Sequence, residues 1–393
     1  MANTILTPVM ITRRALSILH QKLNFVGSIN RQYDDSFAKT GAKIGDSLKI
    51  RLPNQYTVRT GANLSTQDTT ETSTTLQVAT QKGVDTTFSS AELTLSLDDF
   101  AERILEPAMS VLAANIEADA MSMYKDVYNQ INNQGSAMTL SRALTARKKL
   151  VDALAPLDNR TCNLNSQDNV DLVTDTKGLF QDSTQVAKQY KEGYMGRSAG
   201  FDFMENTLWP SHARGDANAS YVCNTSTGIT SGTATITLSA GSGTIKQGDI
   251  FTIAGVYRVH PETKAVTSEL QQFVATADGT TSVAVSPTPV TSGALQNISI
   301  TSAGAGKAVV IAGTASTSHG ISMAYHKDAF AFATADLVLP QGVDFAAREV
   351  FDGISLRIVR QYSISTDALP TRIDCLYGYK AIRPQLACRL ANN

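Results

Sequence analysis

KQGDIFTIAGVYRVHPETKAVTSELQQFVATADGTTSVAVSP, residues Lys246–Pro287, decides how the rest of the chain is read. Apolar and polar residues alternate there in short runs, broken by glycine, proline and acidic turn residues, which is the pattern of half-buried strands. Working outward, TATITLS (233–239), DIFTIAG (249–255), VYRVH (256–260), QQFVAT (271–276), TSVAVSP (281–287) and QNISITS (296–302) are six strand candidates. Six short strands with glycine turns, between about Tyr221 and Ile311, predict a small β-barrel or sandwich.

The flanks differ. VMITRRALSILHQKL (9–23) places Ile11, Ala15, Ile18, Leu19 and Leu23 at helical spacing, with Arg13, Arg14 and Lys22 on the polar face. A lone helix of this length is marginal and must dock, on its own domain or on a neighbouring subunit. DSLKIRLP (46–53) and TTLQVAT (74–80) alternate as strands. The intervening NQYTVRTGANLSTQDTTETS (54–73) is polar and threonine-rich, and a connection that long is normally functional; as a hairpin it projects and wants a partner. SLDDFAERILEPAMSVLAANIEADAMSMYKDVYNQI (96–131) carries one apolar stripe from Phe100 to Ile131, with capping candidates Ser96 and Asp98 and either a kink or two abutting helices expected at Pro107. A second helix, SRALTARKKLVDALAP (141–156), a buried strand in NRTCNLN (159–165), and further strands in EGYMGRSAGFDFMEN (192–206) follow. Mixed character resumes in 323–340 and in 353–384, where Ile354, Leu356 and Ile358 share one face.

Chemistry is hard to find. The chain of 393 residues has a formal net charge of −1 and 18% charged residues, so no phosphate-gripping basic surplus is present. No apolar run reaches membrane-spanning length, and the first residues read without a signal peptide. Cys162, Cys223, Cys375 and Cys388 form no C-x-x-C pair, which argues against zinc and against a disulfide framework. SAGAGKAV (302–309) lacks the first glycine of a phosphate loop and has Ala308 where Ser or Thr would bind magnesium. The histidines at 20, 212, 260, 319 and 326 are dispersed, and His326 reads as a structural hydrogen-bonder. Arg214-Gly215-Asp216 is an integrin-type tripeptide that reads as chance. Catalysis and cofactors are therefore not expected.

The order of elements resembles one family, the major capsid proteins of tailed bacteriophages with the HK97 fold. GLFQDSTQVAKQYKEGYMGRSAGFDFMENTLWP and MAYHKDAFAFATADLVLP are similar to stretches of those coat proteins. TATITLSAGSGTIKQGDIFTIAGVYRVHPETKAVTSELQQFVATA looks like the β-barrel inserted in coat proteins of short-tailed enteric phages. The resemblance implies an α+β chain divided into an N-terminal arm (1–44), an extended loop (45–90) and a peripheral domain with a spine helix (91–140). An axial domain (141–220 and 315–375), an inserted barrel (221–314) and a C-terminal segment returning toward the peripheral domain (376–393) complete it. The implied protein is a virion shell subunit, in host cytoplasm before assembly. It forms pentamers and hexamers of an icosahedral head around double-stranded DNA, with scaffolding and portal proteins as further partners and no membrane. Arg51, Tyr56 and Arg59 are the candidate intersubunit contacts, and Arg13, Arg14 and Lys22 the candidate scaffold contacts. Some members weld the shell through a loop lysine; here no lysine lies between Pro53 and Gln81, so a non-covalent shell is expected. The alternative reading is a tail or adhesin-type β-rich binding protein, which would call for trimeric repeats or a signal sequence; neither is seen.

Overall fold

The structure, a computed structural model, describes residues 8–31, 46–64, 66–68, 71–88, 104–176, 196–223, 228–300, 306–351, 353–365 and 369–392. Two compact units share the chain. The first comprises Met1–Arg51, Ser73–Met121 and Phe330–Ile382; the second comprises Leu52–Thr72, Ser122–Ala329 and Arg383–Asn393.

In the first unit, strands β17 (Phe330–Ala335), β18 (Phe345–Phe351), β19 (Ile354–Arg360), β20 (Leu369–Ala381) and β3 (Thr80–Phe88) form an antiparallel sheet around β20. The expected alternation holds, with Ile354, Leu356 and Ile358 all buried. Helix α1 (Pro8–Lys22) lies against β18, β19 and helix α3 (Glu106–Met121). Ile11, Ala15, Leu16, Ile18 and Leu19 are its buried face, so the arm's helix docks on its own unit. A short turn, α2 (Phe25–Ser28), is held by Glu117 of α3, whose carboxylate accepts from Phe25 N and Val26 N at 3.0 Å each. Burying a carboxylate is costly unless it is hydrogen-bonded, and these two donors meet that requirement.

The long helix departs from expectation. Its residues 96–103 lie outside the described residues, Pro107 falls in the first turn of α3, and the helix ends at Met121 in a 3₁₀ turn, Ser122–Asp126. Ile104 and Leu105, just before Pro107, are π-helical, an irregularity that accompanies bends beside proline. Gln130–Asn132, which the periodicity assigns to the helix, instead form β4, paired in parallel with β21 (Ala387–Ala391). Sheet pairing overrides helical period there.

The second unit holds two sheets. Its parent sheet runs β4, β21, β16 (Ser318–His326), β5 (Arg160–Leu164), β7 (Phe201–Glu205) and β6 (Arg197–Ser198), with β8 (Ser211–Ala213) also on β16. All five residues of β5 are buried, as a central strand requires. Helix α4 (Leu140–Asp152) packs on β21 and β16, and helix α5 (Ser166–Thr176) packs on β5. Residues 177–195 lie outside the described residues.

The other sheet closes on itself. Strands β12 (Val266–Ala275), β13 (Ser282–Ser286), β10 (Thr235–Ser239), β9 (Val222–Cys223), β15 (Lys307–Ile311) and β11 (Ile250–Val259) pair in that order, and β11 pairs back with β12. A six-strand barrel results, filled by Phe251, Ile253, Phe273, Val283, Val285, Ile236 and Val309. Two details differ from the sequence reading. DIFTIAG and VYRVH are one strand, β11, with a register irregularity between Thr252 and Tyr257; and QNISITS supplies only β14 (Ile298–Ile300), which hangs on β11 outside the ring. The ring is completed instead by β9 and β15, strands too short or too lysine-marked to announce themselves. Lys307 begins a strand, not the helix a phosphate loop would require.

The compact units divide the chain differently from the sequence-based boundaries. Residues 330–382 fall with the N-terminal segments because β20 pairs with β3, β17 and β19. The last residues, 383–393, fall with the parent sheet because β21 pairs with β16.

Candidate functional site: the projecting loop and the barrel root

Strands β1 (Asp46–Arg51) and β2 (Ser73–Val78) pair antiparallel in full register, Arg51 opposite Ser73. Leu52 N then donates to Thr72 O at 2.9 Å, one step beyond the strands. Past this point the described residues of the loop form no strand, and side chains brace it. Gln67 Oε1 accepts from Thr57 N and Thr57 Oγ1 at 2.9 Å each, while Gln67 Nε2 donates to Thr57 O at 2.5 Å. One amide side chain thus does for Thr57 what a neighbouring strand would do. Arg59 donates to the carbonyls of Gly61 and Asn63, the latter at 2.9 Å. Gly61 has φ of +104°, which a residue with a side chain adopts only under strain. Outside this frame stand Val58, 95% exposed, and Leu64, 83% exposed.

Of the candidate contact residues, Arg51 ends β1 and is exposed, and Tyr56 is 55% exposed. Arg59 is turned onto its own loop. On the arm, Arg13 Nε lies 3.4 Å from Glu349 Oε1, Lys22 Nζ lies 3.8 Å from Glu106 Oε1, and Arg14 is exposed. The three do not form one uncompensated basic face, and exposed pairs of this kind contribute about 0–1 kcal/mol. The sequence reading passed over Val58 and Leu64, although apolar residues in a polar reach are a visible signal.

A second cluster forms where the barrel joins the parent sheet. Register sets His212 of β8 directly across from His319 of β16, their rings 5.5 Å apart. His212 Nδ1 meets Tyr124 Oη at 3.1 Å, and His212 Nε2 meets Asp249 Oδ1 at 2.9 Å. Asp249 Oδ2 accepts from Gly215 N at 3.0 Å and Lys246 N at 2.9 Å. One buried carboxylate therefore ties β8, the Arg214–Ala217 corner and the turn into β11. Arg389 donates to Gly248 O at 2.7 Å and lies over the Tyr124 ring. Gln134 Nε2 sits 3.2 Å from His319 Nε2. Burial, then the neighbouring His212 and Arg389, pull the His319 imidazole down to about 4, and burial pulls Arg389 down to about 10.

Lower on the same junction, Gln272 of β12 repeats the strand-mimicking device. Its Oε1 accepts from Gln130 N at 3.0 Å and its Nε2 donates to Gln130 O at 2.9 Å, with Lys149 Nζ 2.9 Å from the same Oε1. Arg214 donates to Gly313 O at 2.6 Å and Ala217 O at 2.9 Å, so in the Arg-Gly-Asp tripeptide Arg214 and Gly215 are buried in a corner and only Asp216 is exposed, which is not a presented ligand. His326 is buried, and its Nδ1 accepts from Asp328 N at 3.2 Å. All four cysteines are buried and unpaired. Among the described residues no group of three or more His, Cys, Asp or Glu is placed to hold a metal, and no helix is long and apolar enough to cross a membrane.

Residues 217–389 match the family model of the P22 coat protein, gene protein 5. Over that segment the chain is similar to the P22 coat protein. The segment contains the whole closed barrel together with β16 to β20 and most of β21. No curated protein matches the chain. Among solved structures, the chain is similar to one of Mycobacterium phage Che8, at 12% identity over 94% of this chain and 90% of that one, with a TM-score of 0.48. The capsid structure of cyanophage P-SCSP1u is similar at 10% identity over 90% and 85%, TM-score 0.47. A virus-like particle from Pyrococcus furiosus is similar at 7% identity over 97% of both chains, TM-score 0.40. At such scores these likenesses are loose.

Proposed function

We propose that this chain is a tailed-phage major capsid protein of HK97 type, whose pentamers and hexamers build an icosahedral head around double-stranded DNA. The observation that carries this reading is the closed barrel of residues 222–311 lying within the stretch that matches the P22 coat protein. A shell subunit has no need of a convergent polar pocket, and the role is structural, with the virion as its place and host cytoplasm as its place of folding. The β1–β2 loop reaches a second copy, and Arg51 and Tyr56 are the charged and aromatic members of that contact. Arg13, Arg14 and Lys22 meet a scaffolding protein. A portal ring and packaged DNA complete the partners, the DNA bound without sequence specificity and held without a tight grip, since a near-neutral chain releases few counterions from phosphate. The shell is held without covalent links.

The reading is tested by negative-stain electron microscopy of the protein expressed alone and beside a co-expressed scaffold. Closed shells or uniform-walled tubes are expected. Discrete trimeric fibres would overturn the assignment in favour of the tail-type alternative.

A further inference from the structure

We infer that Gln67 and Arg59 are positioning residues that set the shape of the β1–β2 loop before any partner arrives, leaving Val58 and Leu64 outward as its contact points. The inference rests on the reading of this loop as a contact between copies.

The loop lacks the means to order itself by burial. Tyr56, Val58 and Leu64 are exposed, and the remaining residues between Leu52 and Thr72 are largely polar. Ordering each residue of such a segment on docking costs backbone entropy, which weakens any contact the loop makes. Besides Lys264 Nζ, which reaches Gln55 Oε1 at 3.4 Å, two side chains of the loop itself act against that loss. Gln67 joins the two limbs at Thr57 by satisfying both backbone polar groups of that residue at once, which holds Thr57 as if it were in a ladder. Arg59 closes the tip by drawing the Gly61 and Asn63 carbonyls toward one guanidinium. Between these two braces the chain has little choice, and Val58 is left on the outside, where nothing in its own unit covers it. Arg59 then acts through the loop's shape and needs no acceptor on another molecule.

The test uses the full chain in its unassembled form and follows two readouts, amide exchange in the loop and the rate of shell formation by light scattering. Gln67→Ala is expected to deprotect the Thr57 amide and to slow assembly about tenfold, with Gln67→Glu, which keeps the acceptor and loses the donor, falling between. Arg59→Ala is expected to speed exchange at residues 61–63 of the free subunit and to slow assembly, with Arg59→Lys partly restoring both. Slower assembly in Arg59→Ala with unchanged exchange would mean that Arg59 touches the neighbour directly, and would overturn the inference. So would wild-type assembly in Gln67→Ala. Val58→Ser with Leu64→Ser separates the two levels: if that variant assembles at the wild-type rate, the reading of the loop as an intersubunit contact is what fails. If it alone slows assembly, the contact stands and the bracing role falls.

Discussion

Acid should loosen the barrel's root through one ring. His319 is buried, accepts from Gln134 at Nε2, and faces His212 and Arg389, with Asp249 and Tyr124 completing the polar surround. Its imidazole takes up a proton only near pH 4, against 6.5 for the unfolded chain. The sign follows from linkage: below 6.5 the unfolded chain binds a proton that the folded one refuses, so stability falls from there down to about 4 and is unaffected above 6.5. Between roughly pH 7 and pH 5 the penalty integrates to about 2 kcal/mol. The chain's single tryptophan, Trp209, is buried beside β8 and donates to Asn163 Oδ1 at 2.8 Å, so its fluorescence reports this unit. Urea unfolding of wild type and His319→Gln should be followed at both pH values. The variant, which cannot titrate, should lose less stability on acidification by about 2 kcal/mol. His326, also pulled down by burial, is common to both proteins and cancels. Equal acid sensitivity in the two proteins would refute the reasoning.

Asp249→Ala should cost unit two about 3–5 kcal/mol, because three donors lose one buried acceptor; pulsed alkylation of Cys223, inside the barrel, should accelerate accordingly. Gly215→Ala should prevent the corner from forming, since a Cβ there would stand 2.1 Å from Thr244 O, and soluble yield with Trp209 emission will show whether it does. Tyr377→Phe removes the phenol's bond to Asp119, which also pairs with Lys82 at 2.7 Å; a loss of about 1–2 kcal/mol should appear as faster alkylation of Cys375 in the first unit. Shells boiled in detergent should run as single subunits, and a ladder of multimers would reject the non-covalent shell.

Strands with clean alternation are legible in the sequence: β1, β2, β10, β13 and β19 fall where period-two patterns place them, and so does the second half of β12, which starts five residues ahead of the QQFVAT pattern. The barrel was legible as a class because its turns carry glycine and proline. What closes it was not, since two residues of β9 have no period to read and β15 follows a misleading glycine-lysine pair. The end of the long helix was hidden for a different reason. Tyr124, Val127 and Ile131 keep helical spacing, yet each is buried in a 3₁₀ turn, a connection or a strand. The root cluster was invisible because His212 and His319 are brought together only by strand register, with the entire barrel between them in sequence. Arg59 was legible as a charged loop residue, but charge alone does not say which way a guanidinium turns. Its two acceptors are backbone carbonyls, and carbonyls leave no mark in a sequence.

The incoming and outgoing strands of the barrel, β9 and β15, lie side by side, with Cys223 opposite Lys307. The chain therefore leaves the module next to where it entered, and the strands before and after it, β8 and β16, are themselves paired. Topologically the barrel is a parenthesis. A gene could acquire, lose or exchange such a module without rerouting the sheet beneath it, since splicing the two neighbouring ends needs only a short turn. The root cluster is what turns a tolerated insertion into a dependent part: Tyr124, His212 and Arg389 come from the parent, Asp249 and the Gly248 carbonyl from the guest. Removing the guest would strand a histidine and an arginine in the host's interior, and that debt ties the two histories together.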